Sequence, residues 1–260
     1  MIPGIGGTIG GLAASAGGGG PTYPLDGLPA PTSAMSVDRD LLSSFAGGTK
    51  YTTATGVDSA KDQSGNTRHW NQSSTSLQPV ISTMGSHSRA CMSFDGSDDY
   101  LVSNTTLPNL MTVSNGLVVT VALVNSISTD STSPYQNNCI FGDNGAYLGI
   151  GFKSTGPVAE AFNFNGSFWN KVTAAISTGS VHVFMWRHTG TTLYLSIDGG
   201  TEVSVSSPDN SSLAGVSMYL ARTTGAYGSV KIAEHVTWGS TMPTAPQLAA
   251  YIADCIARYS

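Results

Sequence analysis

The stretch 181–205 constrains the fold of this chain more than any other part of the sequence. It reads VHVFMWRHTGTTLYLSIDGGTEVSV and alternates apolar with other side chains around two glycine-containing turns, at 188–190 and 198–200. Such period-two alternation, broken by turn residues, predicts three consecutive antiparallel strands with one buried face and one more polar face. Three strands are not stable as an isolated ribbon, so we expect a second sheet to cover the apolar face.

Further strand signals lie on both sides of this stretch. Residues 116–126 (GLVVTVALVNS) form an almost unbroken apolar run rich in β-branched side chains, which is typical of a central strand. An edge strand around 77–81 and a hairpin over 139–152 are also expected. The remaining predicted strands lie within 89–103 (two strands), 158–164, 171–176, 216–221 and 230–238.

Both ends of the chain differ from this pattern. Residues 1–35 are rich in glycine and proline and predict an extended N-terminal arm, which precedes a domain spanning 36–260. A short helix is expected at 36–45. A longer helix follows Thr244, which is placed to form a capping box with Gln247. This C-terminal helix should dock on the sandwich through one apolar stripe, made of Leu248, Ile252, Cys255, Ile256 and Tyr259.

The composition narrows the function classes. Only 10% of the residues are charged, against roughly 25% in a typical soluble domain, and the net charge is −5. The 11 lysines and arginines are scattered rather than clustered, so we predict no nucleic-acid partner. Cys91, Cys139 and Cys255 have no C-x-x-C spacing, which gives no support to a zinc site or redox dithiol and favours buried free thiols.

The first part of the arm, residues 1–20, reads MIPGIGGTIGGLAASAGGGG. It lacks Lys or Arg before its apolar run and is interrupted by glycine, so it predicts neither a signal peptide nor membrane insertion. A free tail of this composition should be disordered, and we therefore expect other subunits of an assembly to hold it. The predicted anchoring residues are Ile2, Pro3, Ile5, Ile9 and Leu12.

Four segments, in their order along the chain, resemble a known superfamily. They are MSFDGSDDYL from Met92, the apolar strand from Val118, LYLSIDG from Leu193, and KIAE from Lys231 before the terminal helix. Together they are similar to the laminin-G-like jelly rolls of the concanavalin A-like lectin/glucanase superfamily. The resemblance implies an all-β, two-sheet antiparallel jelly-roll sandwich, to which the arm and the C-terminal helix are added. The KDQSGN segment from Lys61 resembles segments that precede this domain in phage virion proteins.

The glutamates do not match the catalytic pattern of this superfamily. Its retaining glucanases carry Glu-x-Asp-x-x-Glu on one strand, since the reaction needs two carboxylates about 5 Å apart. The chain has three glutamates, Glu160, Glu202 and Glu234, and none lies in that motif. A G-x-S-x-G elbow is absent as well, although counting residues leaves a Ser-His-Asp triad open. We therefore predict that the chain is not an enzyme.

Calcium is the one cofactor that remains open. Laminin-G-like and lectin domains often hold Ca²⁺ through Asp, Asn and backbone oxygens in loops, so the resemblance implies such a site. Aspartates in turns also bind local backbone N–H groups, which is the alternative role of the same residues. We expect no cofactor, with calcium as the exception; its candidate ligands are Asp95, Asp98, Asp99 and Asp143.

Sugar binding needs aromatic faces beside polar groups in a shallow groove. Trp186 and Trp238 lie within strands and are predicted to belong to the core. Aromatic residues in loop-like segments are the candidates for a sugar platform, although they can equally cover the core. These candidates are Trp70, Trp169, Tyr135 and Tyr147.

The residues and the resemblance together predict a virion structural protein of a tailed phage, such as a capsid decoration, neck or tail-fibre component. Its arm would bind other virion proteins, and its sandwich would be exposed on the particle surface as part of a homo-oligomer. The alternatives are a lectin or carbohydrate-binding module for host surface glycans and, third, a polysaccharide depolymerase.

Overall fold

The computed structural model describes residues 23–53, 55–111, 115–127, 139–143, 145, 148–153, 156–164, 169–207, 216–224, 226–239 and 241–260. They form two large antiparallel sheets and a C-terminal helix, which confirms the predicted all-β sandwich. In this part of the chain no helix has the length and apolar character needed to span a membrane.

The elements are numbered in chain order. The helices are α1 (Leu107–Leu110) and α2 (Ala245–Tyr259), and 3-10 turns lie at Ser43–Phe45 and Thr75–Leu77. The strands are β1 (Ser33–Ser36), β2 (Tyr51–Thr53), β3 (Val57–Ala60), β4 (Trp70–Asn71), β5 (Val80–Met84), β6 (Arg89–Asp95), β7 (Leu101–Thr106), β8 (Asn115–Val124), β9 (Cys139–Asp143), β10 (Leu148–Lys153), β11 (Val158–Phe164), β12 (Trp169–Ala175), β13 (Val181–Thr189), β14 (Thr192–Ile197), β15 (Val203–Ser206), β16 (Ser217–Leu220), β17 (Arg222–Thr223), β18 (Ala226–Tyr227) and β19 (Ser229–Trp238).

The strands are arranged in two sheets and one separate hairpin. Sheet A has the order β15-β14-β13-β8-β19-β6-β5, and β1 pairs with the second half of β19. Sheet B has the order β12-β11-β10-β9-β16-β7-β4-β3-β2, and β17 pairs with β18. The meander predicted at 181–205 is β13-β14-β15, at one edge of sheet A.

The central strands of sheet A are buried on both faces. Val118 and Ala122 of β8 point into the core between the two sheets, whereas Val119 and Val121 point into a second core under α2. The expectation that one face of the meander is polar was wrong for β13, where a third layer covers that face, whereas Thr192 and Tyr194 of β14 stay partly exposed on it. The side chains of β13 divide in the same way, with Phe184 and Trp186 in the first core and Val183 and Met185 in the second.

Helix α2 forms this third layer. The predicted capping box is present, and Oε1 of Gln247 accepts a hydrogen bond from the backbone N–H of Thr244 at 2.9 Å. The predicted apolar stripe faces sheet A, with Leu248 and Ile256 at its margin. Its fully or almost fully buried members are Ile252, Cys255 and Tyr259, joined by Tyr251.

The N-terminal residues that the structure describes belong to the domain. Leu25 is fully buried in the second core, and the carbonyl of Pro29 accepts a hydrogen bond from Nε1 of Trp238 at 2.9 Å. The helix predicted at 36–45 was wrong, because the backbone of β1 pairs with β19 and only the 3-10 turn at Ser43–Phe45 forms later. The predicted arm boundary at residue 35 falls within β1. The anchoring residues Ile2, Pro3, Ile5, Ile9 and Leu12 lie outside the described residues.

The KDQSGN segment fastens this N-terminal part to the sandwich. Oδ1 of the buried Asp62 accepts the backbone N–H of Ala34 at 2.9 Å. Gln63 is also buried; its Oε1 accepts from the N–H of Leu41 at 2.7 Å, and its Nε2 donates to the carbonyl of Ser36 at 2.9 Å. The two side chains thus satisfy backbone groups that would otherwise be buried without partners.

The three cysteines are free and buried, as expected. Burial raises the pKa of Cys91 to about 11 and that of Cys139 further, so both thiols are protonated at neutral pH.

A buried charge cluster joins β19, α2 and the N-terminal segment. Glu234 is fully buried, and Nε of Arg39 donates to its Oε1 at 2.6 Å. The hydroxyls of Tyr251 and Tyr259 donate to the same carboxylate at 2.9 and 2.7 Å. Arg39 also pairs with Asp254 at the helix surface. The carboxylate therefore has the charge partner and the hydrogen bonds that burial of a charge requires.

Replacing Glu234 tests the importance of this cluster for stability. Glu234→Gln leaves the guanidinium of Arg39 with the exposed Asp254 alone, and the free energy of unfolding should fall by about 3–5 kcal/mol. The control is Glu202→Gln, which removes an exposed pair with Arg187 and should cost at most about 1 kcal/mol. Urea unfolding followed by circular dichroism measures both, and equal losses would contradict the assigned role.

Candidate functional site

The outer face of sheet B carries two aromatic clusters. Side chains alternate along each strand, so when Ile150 of β10 and Ala161 of β11 enter the core, their neighbours lie on the opposite, outer face. The strand register connects these outer residues from strand to strand. One row across the face runs through Lys171, Phe162, Gly149, Gly142, Tyr219 and Val102.

The first aromatic cluster lies at the β11–β12 edge. Trp169 packs against Phe164, its cross-strand partner, with ring centroids 4.6 Å apart and the planes inclined by 35°. Phe162 is fully buried and lies edge-on to Trp169, with 6.0 Å between centroids. Trp169 and Phe164 are partly exposed, so this cluster presents a supported tryptophan ring at the sheet edge.

The second cluster, which we call the tyrosine–arginine cluster, surrounds Arg222. The Cζ atom of Arg222 lies 4.3 Å from the ring centroid of Tyr100, 5.0 Å from that of Tyr219 and 5.4 Å from that of Tyr227. Tyr100 in turn contacts the other two rings, with centroid distances of 5.6 and 6.3 Å. All four side chains are partly exposed. Cation–π contacts of this kind stabilise the guanidinium in one position.

Two glycines separate the clusters. Gly149 and Gly142 lie between Phe162 and Tyr219 in the register, and strands about 4.8 Å apart place the backbones of those two residues about 14 Å apart. A Cβ atom at Gly142 would lie 2.3 Å from Cγ2 of Thr223. The missing side chain therefore lets the β17–β18 hairpin lie directly on β9, which brings Arg222 beside the tyrosines.

The structure places the predicted sugar-binding residues in different environments. Trp169 lies on the outer face of sheet B. Trp70 does not: β4 pairs with β3 and β7, and the indole is fully buried in the core, edge-on to His235 at 5.0 Å. Its assignment to a surface loop is therefore corrected. Tyr135 and Tyr147 lie outside the described residues.

The tyrosine–arginine cluster was not predicted from the sequence. Three separate segments contribute to it, since Tyr100 precedes β7, Tyr219 belongs to β16, and Arg222 and Tyr227 belong to the hairpin. The concentration of tyrosine and arginine in 219–227 (YLARTTGAY) is the signal that could have identified part of it.

The turn between β6 and β7 carries three of the predicted metal ligands. One oxygen from each of Asp95, Asp98 and Asp99 lies within 4.8 Å of the others. The same carboxylates bind backbone, because Oδ1 of Asp95 accepts from the N–H of Ser97 at 2.8 Å and Oδ2 of Asp99 accepts from the N–H of Asp95 at 3.1 Å. Burial, together with the charges of Asp95 and Asp98, raises the pKa of Asp99 to about 6. Calcium binding at this turn stays a prediction.

The fourth predicted metal ligand, Asp143, lies apart from this group. Its side chain is fully buried at the end of β9. Oδ1 accepts from the backbone N–H of Gly145 at 2.7 Å, and Oδ2 accepts from that of Leu148 at 2.6 Å. Asp143 thus holds the β9–β10 turn, and its role as a calcium ligand stays a prediction.

A Ser–His–Asp arrangement lies at the ends of β12, β13 and β14. Oγ of the exposed Ser177 is 3.0 Å from Nε2 of His182, whose Nδ1 is 2.6 Å from Oδ2 of Asp198. The other carboxylate oxygen accepts from the N–H of Val183 at 2.7 Å. The hydrogen bond to Asp198 raises the pKa of His182. The backbone N–H of Ser177 also donates to Nε2, at 3.1 Å, so the hydroxyl shares this acceptor. Counting residues left such a triad open, and the structure brings these three together.

Comparisons with known proteins identify the fold. No protein-family model matches the sequence, and no curated protein matches it. Among solved structures, an arabinofuranosidase complexed with arabinofuranosyl-α-1,2-xylobiose has a TM-score of 0.63 at 14% identity, over 92% of this chain and 65% of the other. The shared feature is a β-sandwich fold.

Two further structures share it at lower identity. The binding domain of Paraclostridial Mosquitocidal Protein 1 has a TM-score of 0.56 at 7% identity, over 78% of this chain and 51% of that domain. A Trypanosoma rangeli sialidase complexed with 2,3-difluorosialic acid has a TM-score of 0.56 at 9% identity, over 94% of this chain. The chain spans about a third (35%) of that sialidase. The assignment to the concanavalin A-like superfamily and the phage context stay predictions.

These comparisons correct the prediction that the chain is not an enzyme. That prediction relied on the absence of one glucanase motif and of the serine elbow. The same fold occurs in chains of a sialidase and an arabinofuranosidase, which their names describe as glycosidases. The missing motifs therefore do not exclude catalysis for a chain with this fold.

Proposed function

We propose that the protein binds carbohydrate on the outer face of sheet B. The observation that carries this proposal is the presence of two aromatic clusters with partly exposed rings on one face of sheet B. On the outer face of sheet A, α2 and the N-terminal segment cover most of the side chains, and the partly exposed Tyr194 stacks with Arg187, which is already paired with Glu202.

The chemistry of the two clusters suits a sugar chain. The ring of Trp169 provides an apolar surface for the C–H face of a pyranose, and Phe164 and Phe162 support it from beneath. The hydroxyls of the three tyrosines and the N–H groups of Arg222 supply hydrogen bonds to sugar oxygens. Trp169 on β12 and Tyr219 on β16 are separated by β11, β10 and β9, so four strand spacings of about 4.8 Å lie between them, which suits an oligosaccharide rather than a single ring.

Trp169→Ala tests the proposal. Loss of the platform should weaken binding to the glycans that the protein recognises by roughly tenfold or more. A glycan array finds these glycans, and isothermal titration calorimetry measures their affinities. The control is Tyr194→Ala on sheet A, where another partly exposed ring carries an arginine, with Cζ of Arg187 3.8 Å from its centroid. Unchanged binding by Trp169→Ala, or equal losses in both variants, would contradict the assignment of the site.

The binding domain is part of a tailed-phage particle, as a decoration, neck or tail-fibre component in several copies. Support comes from the low charge content, the glycine-rich residues 1–22 and the resemblance of the KDQSGN segment to those of phage virion proteins. Residues 1–22 would bind other virion proteins, and the outer face of sheet B would remain accessible to host surface glycans.

Deletion of residues 1–22 tests the virion role. The cut lies before Leu25, which packs in the second core, so the truncated domain should stay folded and soluble. It should fail to enter phage particles when assembly is followed by immunoblotting of purified virions. Replacement of 1–22 by a Gly/Ser linker of equal length should fail in the same way. Incorporation of either variant would overturn the role of this segment.

A second candidate function is ester hydrolysis, which the Ser177–His182–Asp198 geometry favours. Ser177 Oγ would attack the carbonyl carbon of an ester, such as an acylated sugar, while Nε2 of His182 takes the hydroxyl proton. The ester C–O bond breaks, the alcohol leaves with that proton, and the acyl group stays on Ser177. Water then attacks the acyl group by the same route and restores the serine.

Labelling with a fluorophosphonate probe and hydrolysis of p-nitrophenyl acetate test this candidate. Ser177→Ala should abolish both signals, whereas Ser180→Ala, an exposed serine of the same turn, should retain them. The rate should increase with pH up to and through the raised pKa of His182, because only the neutral imidazole accepts the proton. Absence of labelling in the wild-type protein would eliminate the candidate.

A further inference from the structure

Arg222 is a charged side chain without a charged partner in the described part of the chain. Its contacts there are the three tyrosine rings, and it makes no hydrogen bond or ion pair with another described residue. A guanidinium has five N–H donors and no acceptor. Contact with ring faces uses the π surface of the group and leaves these donors available.

Arg187 on sheet A makes both a cation–π contact and an ion pair, and it is therefore a useful comparison for Arg222. Its Cζ lies 3.8 Å from the ring centroid of Tyr194, so it also makes a cation–π contact. In addition, its Nε and Nη2 donate to the two carboxylate oxygens of Glu202. The stacked geometry therefore allows a second, bidentate bond to a carboxylate. Arg222 makes the aromatic contacts of this arrangement, but no described carboxylate pairs with it.

A ligand can supply the carboxylate that would pair with Arg222. Partial burial weakens the hydration of Arg222, and an incoming anion would restore its charge balance. The planar fork of a guanidinium matches a carboxylate with two parallel hydrogen bonds, which are roughly twice as strong as neutral ones. The surrounding tyrosines add faces for the sugar ring that bears the carboxylate.

We propose that Arg222 makes the outer face of sheet B selective for acidic glycans, in which a sugar carboxylate pairs with its guanidinium. This selectivity rests on the carbohydrate-binding function proposed above. Trp169, supported by Phe162 and Phe164, binds a neighbouring sugar whether or not that sugar is charged. The tyrosine–arginine cluster binds the sugar that carries the carboxylate.

The test compares acidic glycans with neutral counterparts of the same length. A panel of uronic-acid and sialic-acid oligosaccharides is printed beside the same compounds after chemical reduction of their carboxylates, and affinities of the best pair are measured by calorimetry. The wild-type protein should bind the acidic member roughly tenfold to a hundredfold more tightly. This preference should decrease as salt concentration increases.

Substitutions assign the preference to one residue. Arg222→Gln should remove it and leave the affinity for the reduced glycan nearly unchanged, and Arg222→Lys should keep a smaller part, because the charge remains without the fork. Arg187→Gln is the matched control and should behave as wild type. If Arg222→Gln does not fold, Arg222→Lys still tests the proposal.

The outcomes separate this inference from the function on which it rests. Equal affinity for acidic and reduced glycans in the wild-type protein overturns the selectivity and leaves carbohydrate binding intact. The panel also includes sulfated analogues of the same oligosaccharides. If these bind as tightly as the carboxylated ones while the reduced glycans bind weakly, the carboxylate is not the determinant. Failure of every glycan to bind overturns both proposals, and a preference retained by Arg222→Gln overturns the role of that residue.

Discussion

Burial of the central strands of sheet A on both faces is the constraint on which the other features depend. One face packs on sheet B, and the other packs on α2 and the N-terminal segment. The helix is held against the sheet by the carboxylate of Glu234, which has three donors from the helix and the N-terminal segment: Arg39, Tyr251 and Tyr259. Because a buried carboxylate is costly without such partners, this contact specifies how the third layer docks. We assign the ligand to the outer face of sheet B, because the rings of Trp169 and of the tyrosine–arginine cluster are partly exposed there.

The candidate site depends on positions that lack side chains as much as on aromatic rings. Gly142 lets the β17–β18 hairpin lie on β9, and Gly149 leaves room for the ring of Phe162, since a Cβ atom there would lie 2.9 Å from its Cζ. The hairpin delivers Arg222 to tyrosines from two other segments. Only 10% of the residues are charged. A guanidinium whose described contacts are aromatic rings therefore points to a charged ligand more strongly than an arginine on an ion-rich surface would.

The absence of one local sequence motif does not exclude catalysis in a β-sandwich. The absence of Glu-x-Asp-x-x-Glu excludes one catalytic arrangement on one fold, whereas β-sandwiches occur in enzymes named for other glycosidic reactions. The Ser177–His182–Asp198 geometry illustrates the same point, because its members come from three strand ends and form no local motif. Catalytic geometry depends on which strand ends meet, and spacing along the chain does not report it.

Local chemistry in the sequence was sufficient for most strands from β5 onward, the turn at KDQSGN and the capped helix from Thr244, since periodicity and capping act over a few neighbouring residues. It was also sufficient to select Trp169 as a surface aromatic. The helix expected at 36–45, the polar face of β13 and the exposure of Trp70 were wrong, because distant strands and a third layer bury those segments. The tyrosine–arginine cluster exists only in three dimensions: Tyr100 and Tyr219 are far apart in the chain, and pairing of β7 with β16 brings them into contact.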